Sequence, residues 1–475
     1  MSIRILLIIA AAVRLIGIGS PLLGFHSWRQ ADTAAMARNF FENGYRLLWP
    51  QVDWAGARPG FVESEFPLIP FMAAVLYRFL GVHEWIGRAL AAAFSLVAGY
   101  ALFHLVRKVS GSRVAIWAAG FYLFLPLSLY YSRTFMPDAA MMAFSILAIA
   151  WFYDWTESGA PGFLAASCVA FSASALLKLP CLYLMLPIAY LANLRFGPSF
   201  WKRPLLWAYA AAALTPVVGW YVHAHQILLG GGLTFGIWEY GRDKWGNWSL
   251  VSSWAFWNAL VFRNVAERWL TWAGFALFLL GLFAIPRSTR ERLFDLWLIA
   301  VLVFFVIVAK GNYVHEYYQW PLLPAASFYL AKAVTIGIHS RRSALVAGTS
   351  LALLLMIALS GVRYASYLRK EDPRKSAQHE LSVRVRRMTE PGALLVAVDG
   401  QDPTLLYLSH RKGWHANPDQ VDSVFLAQRA REGARYVIGI VSPRNAASVS
   451  MRRRLAQNYP SVLDDGGLMI YRLPF

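Results

Sequence analysis

The chain contains only two cysteines, Cys168 and Cys181, and it lacks CxxC motifs and clusters of cysteine with histidine. Both cysteines lie within apolar segments, where a thiol serves as a small packing residue. These absences argue against a structural zinc site, because such sites repeat cysteine or histidine at short spacings. The chain also lacks a glycine-rich nucleotide fingerprint, so the sequence predicts no nucleotide cofactor.

Charged residues are scarce, at 15% of the chain, whereas 58% of the residues are hydrophobic. A soluble protein of this composition would expose far too much apolar surface. Runs of about 17 to 25 apolar residues, each able to cross roughly 30 Å of hydrocarbon, recur through the first three quarters of the chain. The net charge is +19, and many of the basic residues lie in short loops. Lipid head groups and membrane orientation explain this charge, so we predict no nucleic-acid partner.

The sequence predicts a polytopic α-helical membrane protein with about 11 transmembrane helices. The predicted spans are 3–25, 86–106, 114–131, 138–153, 162–177, 181–194, 205–229, 269–285, 293–309, 321–338 and 343–361. The first span lacks an A-x-A cleavage pattern and is interpreted as a retained helix rather than a signal peptide. The apolar segment 67–81 is too short to cross and is predicted to be interfacial or re-entrant.

Loop charges predict which side of the membrane carries the chemistry. If segment 67–81 does not cross, the basic loops 107–113, 195–204, 286–292 and 339–343 share one side. The positive-inside rule makes that side cytoplasmic. We therefore expect an inner- or plasma-membrane protein with an extracytoplasmic active site, periplasmic in a Gram-negative cell, faced by both Asp32 and Arg133.

The pattern changes near residue 376, where short apolar runs alternate with helical segments. Strands are predicted at 393–400, 434–443 and 468–473, and helices at 403–409, 418–432 and 445–458. The sequence thus predicts two domains, a transmembrane domain at 1–361 and a small extracytoplasmic α/β domain at 376–475.

The stretch WRQADTAAMARNF (28–40) predicts a helix on the membrane surface with Arg29 and Asp32 on one face. These two residues form either a local ion pair or a site in which Asp32 accepts a proton from a hydroxyl. In GFVESEFPLIP, Glu63 and Glu65 are either solvated loop carboxylates or part of the same site.

Basic and aromatic residues at later loops offer further candidates. In YYSRTFMPDAA, Arg133 either snorkels or binds phosphate, and Asp138 occupies the first turn of the next helix. Lys178 ends an apolar span with the same two alternatives. The stretch 311–324 (GNYVHEYYQWPLLP) combines an aromatic belt with hydrogen-bonding side chains that suit a sugar. The Trp-rich stretch 236–257 is a second such surface or an interfacial lid.

The order of these motifs resembles the GT-C superfamily of integral-membrane glycosyltransferases. Within it, the chain is similar to the branch of protein O-mannosyltransferases and the lipid A aminoarabinose transferase. RQADTAAMARNF, the acidic turn before PLIP, SRTFMPD and HEYYQWPLLP carry the resemblance, which covers the membrane portion. It implies a GT-C-like fold with interfacial helices in the first outer loop. It also implies an inverting transferase that moves a sugar from a polyprenyl-phosphate donor to a hydroxyl of a glycan, lipid or protein acceptor.

The resemblance and the motifs together predict the site. Asp32 is the predicted catalytic carboxylate, Arg133 and Lys178 the donor-phosphate ligands, and Arg29, Glu63, Glu65, Asp138, His315, Glu316, Tyr317 and Tyr318 the substrate-binding residues. Many relatives have Asp-Glu where this chain has Asp32-Thr33, and Lys-Pro-Pro where it has Glu65-Phe66-Pro67. No cofactor is assigned; a divalent metal is possible, although no metal ligand is predicted.

Two other functions fit a polytopic chain. A transporter or flippase of lipid-linked sugars would place polar residues near the bilayer midplane, on broken helices in repeated halves. A scaffold that displays the C-terminal domain would leave the polar outer loops unexplained. Here the charges cluster at helix ends, which favours the enzyme.

Overall fold

Residues 2–236, 245–283, 285 and 287–474 are described in a computed structural model of the chain. Part of the predicted second sugar surface, residues 237–244, lies outside the described residues. The chain divides into two compact units. One, the membrane unit, comprises Met1–Ile18, Arg88–His225 and Gly236–Ser366, and the other, the mixed unit, comprises Gly19–Gly87, Gln226–Phe235 and Tyr367–Phe475.

Apolar helices dominate the chain, which is an integral membrane protein. Among the described residues, six helices are long and apolar enough to cross a bilayer: Glu84–Ser110, Asp138–Ser158, Leu179–Phe196, Pro204–Leu229, Glu316–Ile338 and Ser343–Arg369. The bent pair Trp254–Trp269 and Trp272–Phe283 makes a seventh if counted as one span. Shorter helices include Ile3–Leu15, Ser112–Phe124, Pro126–Tyr131, Pro161–Leu177, Leu293–Ile307 and Ala309–Val314. The total of about 11 crossings stays a prediction.

Several predicted segments differ in extent from the helices observed. The predicted span 114–131 is two helices, Ser112–Phe124 and Pro126–Tyr131, separated at Leu125. The first helix ends at Leu15 and does not continue to 25, because Gly17 adopts a φ of +68° and Pro21 follows. Segment 67–81 forms the helix Leu68–Leu80. At 1.5 Å per residue that helix is about 20 Å long, which is short of a bilayer core.

Two short strands of the mixed unit, β1 (Val62–Glu63) and β2 (Leu233–Thr234), pair in parallel. Five further strands are β3 (Leu394–Val398), β4 (Gly413–Ala416), β5 (Ala434–Ile440), β6 (Ser461–Asp464) and β7 (Leu468–Arg472). These five form one sheet in the order β4-β3-β5-β7-β6. β3 is parallel to β4 and β5, whereas β7 is antiparallel to β5 and β6. The helices beside it are Ala377–Met388, Thr404–Ser409, Ser423–Arg431 and Ala446–Asn458.

The predicted strands and helices of this region are confirmed, but β4, β6 and the helix Ala377–Met388 were missed. Side chains that alternate along the central strands fill two cores: Val396 and Val437 face one, and Leu395 and Ile438 face the other. A sheet covered on both faces produces the continuous apolar runs from which those strands were predicted.

The edge strand β4 is bonded to the loop that follows the helix Ser27–Asn43. Gly413 N–H donates to Asp53 O at 2.9 Å, and Gly56 N–H donates to Gly413 O at 2.7 Å. Gly56 adopts a φ of +66°, and a Cβ there would lie 2.2 Å from the Trp414 ring. Only glycine fits this close approach, which holds the loop against the sheet.

The membrane unit buries an arginine that donates hydrogen bonds to other protein groups. Arg14 is fully buried, and its Nε donates to Ser95 Oγ at 2.8 Å. Its Nη1 and Nη2 donate to the carbonyl oxygens of Ala10 and Leu123. A charge this well bonded joins the first helix to two others.

We expect Arg14→Met to lower the thermal unfolding midpoint in detergent, because it removes three hydrogen bonds that a buried charged group donates, each worth about 1.5–3 kcal/mol. Arg4→Met, on the exposed side of the same helix, is the control and should leave the midpoint unchanged. Equal midpoints for the two variants would contradict a structural role for Arg14.

Candidate functional site

The helix Ser27–Asn43 carries the predicted catalytic carboxylate. It begins after His26, which adopts a left-handed φ of 54°, and ends at Gly44. The predicted helix is confirmed, but it is not a surface helix with one wet face, because every residue from Arg29 to Phe40 is buried. Small alanines on this helix allow neighbouring segments to approach closely.

Asp32 is the buried carboxylate of this helix, with 4% of its surface exposed. Trp54 Nε1–H donates to Asp32 Oδ1 at 3.0 Å. Burial raises the pKa of Asp32 to about 7, while the Trp54 hydrogen bond and the charges of Arg29 and His415 pull the pKa down. Asp32 therefore changes charge near neutral pH, as a general base requires.

Arg29 does not form the local pair with Asp32 that the helical spacing suggested as one alternative. Its guanidinium bonds to Glu65 at 2.5 Å and stacks over the Phe235 ring at 4.8 Å. Glu63 accepts a hydrogen bond from the Thr234 hydroxyl. The two glutamates are thus bonded within the mixed unit rather than solvated.

Sequence reasoning missed a second buried acid beside Asp32. Asp53 bonds to the guanidinium of Arg38 and accepts a hydrogen bond from Asn39 Nδ2 at 3.0 Å. Arg38 also donates to Tyr407 O at 3.3 Å. Trp54 was missed as well, since one tryptophan among 20 carries no local signal of its hydrogen bond.

The membrane unit gathers several other predicted residues around Lys178. Its Nζ lies 3.2 Å from Asp138 Oδ1. The same Nζ lies 5.0 Å from the centroid of the Tyr317 ring and 4.9 Å from that of the Tyr318 ring. His315 packs against both tyrosines with centroid distances of 5.4 Å. Residues from three separate loops thus form one cationic and aromatic group, which we call the Lys178 cluster.

Glu316 and Arg133 belong to the same unit. Glu316 accepts a hydrogen bond from Tyr131 OH at 2.9 Å and lies 3.6 Å from Arg268. Arg133 is buried and its Nη2 donates to Gly17 O at 2.5 Å. The left-handed turn at Gly17 brings that carbonyl to the guanidinium, so Arg133 has a fixed position.

Across the described ranges, no group of three or more His, Cys, Asp or Glu side chains has the arrangement of a metal site. We therefore assign no metal ligands.

Comparisons with known proteins agree with the membrane architecture. A family model described as dolichyl-phosphate-mannose-protein mannosyltransferase matches residues 64–223, about a third of the chain. None of the curated proteins compared with the chain matches it in sequence.

Solved structures match over almost the whole chain. ArnT from Cupriavidus metallidurans, bound to undecaprenyl phosphate, is 16% identical with a TM-score of 0.68, covering 99% of this chain and 97% of that one. AglB from Archaeoglobus fulgidus, with an inhibitory peptide and a dolichol-phosphate, is 13% identical with a TM-score of 0.56 over 98% and 74%. Arabinofuranosyltransferase AftD from mycobacteria is 15% identical with a TM-score of 0.54 over 100% and 42%. The chain has the fold of the GT-C membrane glycosyltransferases, which confirms the resemblance.

We expect Lys178→Met to lower the unfolding midpoint because it leaves the buried Asp138 charge uncompensated, a loss of about 3–5 kcal/mol. Adding Asp138→Asn should restore most of that stability, since the buried charge is removed with its partner. Thermal unfolding in detergent measures both variants. The exposed Lys202→Met is the control, and additive losses in the double variant would disprove the pairing.

Proposed function

We propose that this chain is an inverting glycosyltransferase that moves a sugar from a polyprenyl-phosphate donor to a hydroxyl of a glycan, lipid or protein acceptor. The observation that carries the proposal is the buried Asp32 carboxylate, bonded to Trp54 and titrating near neutral pH. The GT-C fold supports the reaction class. The undecaprenyl phosphate in ArnT and the dolichol-phosphate in AglB support the donor class. We propose the outer face of the membrane as the place of reaction.

In the proposed reaction, the acceptor oxygen attacks the anomeric carbon from the face opposite the phosphate. The new C–O bond forms as the anomeric carbon–phosphate oxygen bond breaks, which inverts the anomeric centre. Asp32 orients the hydroxyl and takes its proton, and polyprenyl phosphate leaves with the bonding electrons. A positioned base of this kind contributes about 10²–10⁴-fold to the rate.

The leaving phosphate gains negative charge and needs a cation that is already in place. We assign this role to Lys178 and Arg133. Lys178 is held by Asp138 and two tyrosine faces, so little side-chain entropy is lost when it meets a phosphate. His315, Glu316, Tyr317 and Tyr318 are assigned to the substrate, since aromatic faces and polar tips suit a sugar ring.

We expect Asp32→Asn to lower transfer by about 10²–10⁴-fold while binding of undecaprenyl phosphate stays near the wild-type value. The assay follows release of undecaprenyl phosphate from undecaprenyl-phosphate-linked pentoses and hexoses in proteoliposomes. Wild-type turnover in the Asn variant would remove Asp32 from the base role.

The double variant Lys178→Met/Asp138→Asn should lose donor binding, whereas Asp32→Asn should keep it. It should keep the fold, but loss of a charged hydrogen-bond donor worth about 1.5–3 kcal/mol should weaken undecaprenyl phosphate binding at least tenfold. Undiminished binding would show that Lys178 only neutralises Asp138.

Movement of the donor across the bilayer by the wild-type protein, without sugar transfer, would favour a flippase.

The pKa of Asp32 sets the pH dependence of kcat/KM. Below about 7 the carboxyl keeps its proton and cannot accept another, so the rate should rise about tenfold per pH unit and level off above. Trp54→Phe removes a hydrogen bond that lowers this pKa, so the rising limb should move to higher pH. Trp49→Phe, in the same loop and 42% exposed, is the control; identical profiles for both variants would contradict the assignment.

A further inference from the structure

Two polar residues of the sheet form a buried pair that the proposed reaction has not used. Asp399 follows the carboxyl end of β3, and His415 lies on the neighbouring strand β4. His415 Nδ1–H donates to Asp399 Oδ1 at 2.9 Å. The Asp399 and His415 side chains are only 5% and 11% exposed. Such a carboxylate–imidazole pair fixes the ring orientation and stabilises the protonated ring.

The pair lies against the residue that holds Asp32. The His415 ring is 5.9 Å from the Trp54 ring between centroids, tilted by 42°. Trp54 in turn donates to the Asp32 carboxylate at 3.0 Å. The main-chain bonds of Gly413 to the loop at Asp53 and Gly56 hold the same strand and loop together, so the contact is not an accident of a mobile side chain.

The charges around Asp32 give His415 an electrostatic role. Arg29 and His415 favour the ionised carboxylate, whereas Asp53 opposes it. The positive charge of Arg29 is shared with Glu65 at 2.5 Å. His415 is held in place by its bond to Asp399, so its effect on Asp32 depends on that pair.

We propose that Asp399 and His415 are a positioning pair for Asp32. Asp399 orients the imidazole against Trp54, and the ring held in this position favours the ionised Asp32 carboxylate. This inference rests on the proposed function and extends it, because it gives the α/β region a part in setting the base. Asp399 is subject to its own neighbours: burial raises its pKa to about 6, His415 opposes that rise and Asp402 adds to it.

The test measures kcat/KM against pH for full-length His415→Gln and Asp399→Asn. His415→Gln removes the imidazole that favours the ionised Asp32 carboxylate, and Asp399→Asn removes the acceptor that holds this ring in place. The rising limb should therefore move up by about one pH unit. Transfer should then fall about tenfold near pH 6 and recover nearly fully near pH 9. A purely structural role would reduce the rate equally at every pH. His379→Gln, on the helix Ala377–Met388, is the control and should keep the wild-type profile.

A second readout does not depend on transfer. A carboxyl whose pKa rises on folding loses stability as pH increases from its unfolded pKa, about 4, through its folded value. The Asp32 contribution is the unfolding midpoint of the wild type minus that of Asp32→Asn at the same pH. This difference should fall as the pH rises to about 7. In His415→Gln the same difference should extend to higher pH.

These readouts separate the two proposals. If His415→Gln moves the Asp32-dependent stability difference to higher pH but the wild-type protein transfers no sugar, the positioning pair is retained and the glycosyltransferase is rejected. If the protein transfers sugar and the rising limb of the kcat/KM profile stays at the wild-type pH in both variants, the positioning pair is rejected and the glycosyltransferase is retained.

Discussion

Burial of one carboxylate is the constraint on which the mixed unit depends. Removing a carboxylate from water disfavours its charged form, and Asp32 is 4% exposed. That burial needs cover from several directions, which the alanine-rich helix, the loop at Trp54 and the strand β4 supply together. Without that cover Asp32 would titrate like an ordinary surface acid. The α/β region is therefore part of what makes the carboxylate unusual.

In the mixed unit, the sequence predicted those strands and helices well that depend on the residues of one short segment. The apolar run ALLVAVDG became β3 because a strand covered on both faces is continuously apolar. WRQADTAAMARNF became a helix because it is rich in alanine and other helix-forming residues. β4 and β6 were missed because four residues are too few to show a period. β4 also contains His415 and Gly413, which serve tertiary contacts rather than strand propensity.

The candidate site was only partly predictable for the same reason. Asp32 stood out because a charge beside an apolar run is unusual. Trp54, Asp53 and His415 did not, because their importance comes from contacts between segments far apart in the chain. The helical spacing of Arg29 and Asp32 was correct, but a stronger partner, Glu65, takes the guanidinium. Spacing along a helix defines neighbours, whereas the folded chain decides which neighbour bonds.

Asp32 and Asp53 show how partners assign different tasks to similar acids. Both are buried in the mixed unit. Asp53 bonds directly to the guanidinium of Arg38 and to Asn39, so its negative charge is compensated where it stands. Asp32 accepts its hydrogen bond from a neutral indole, and its cations act only through space. A carboxylate with a bonded cation serves structure, because loss of the cation would leave a buried charge uncompensated. One without a bonded cation stays poised between its two forms, and it is this second arrangement that suits an acid–base role.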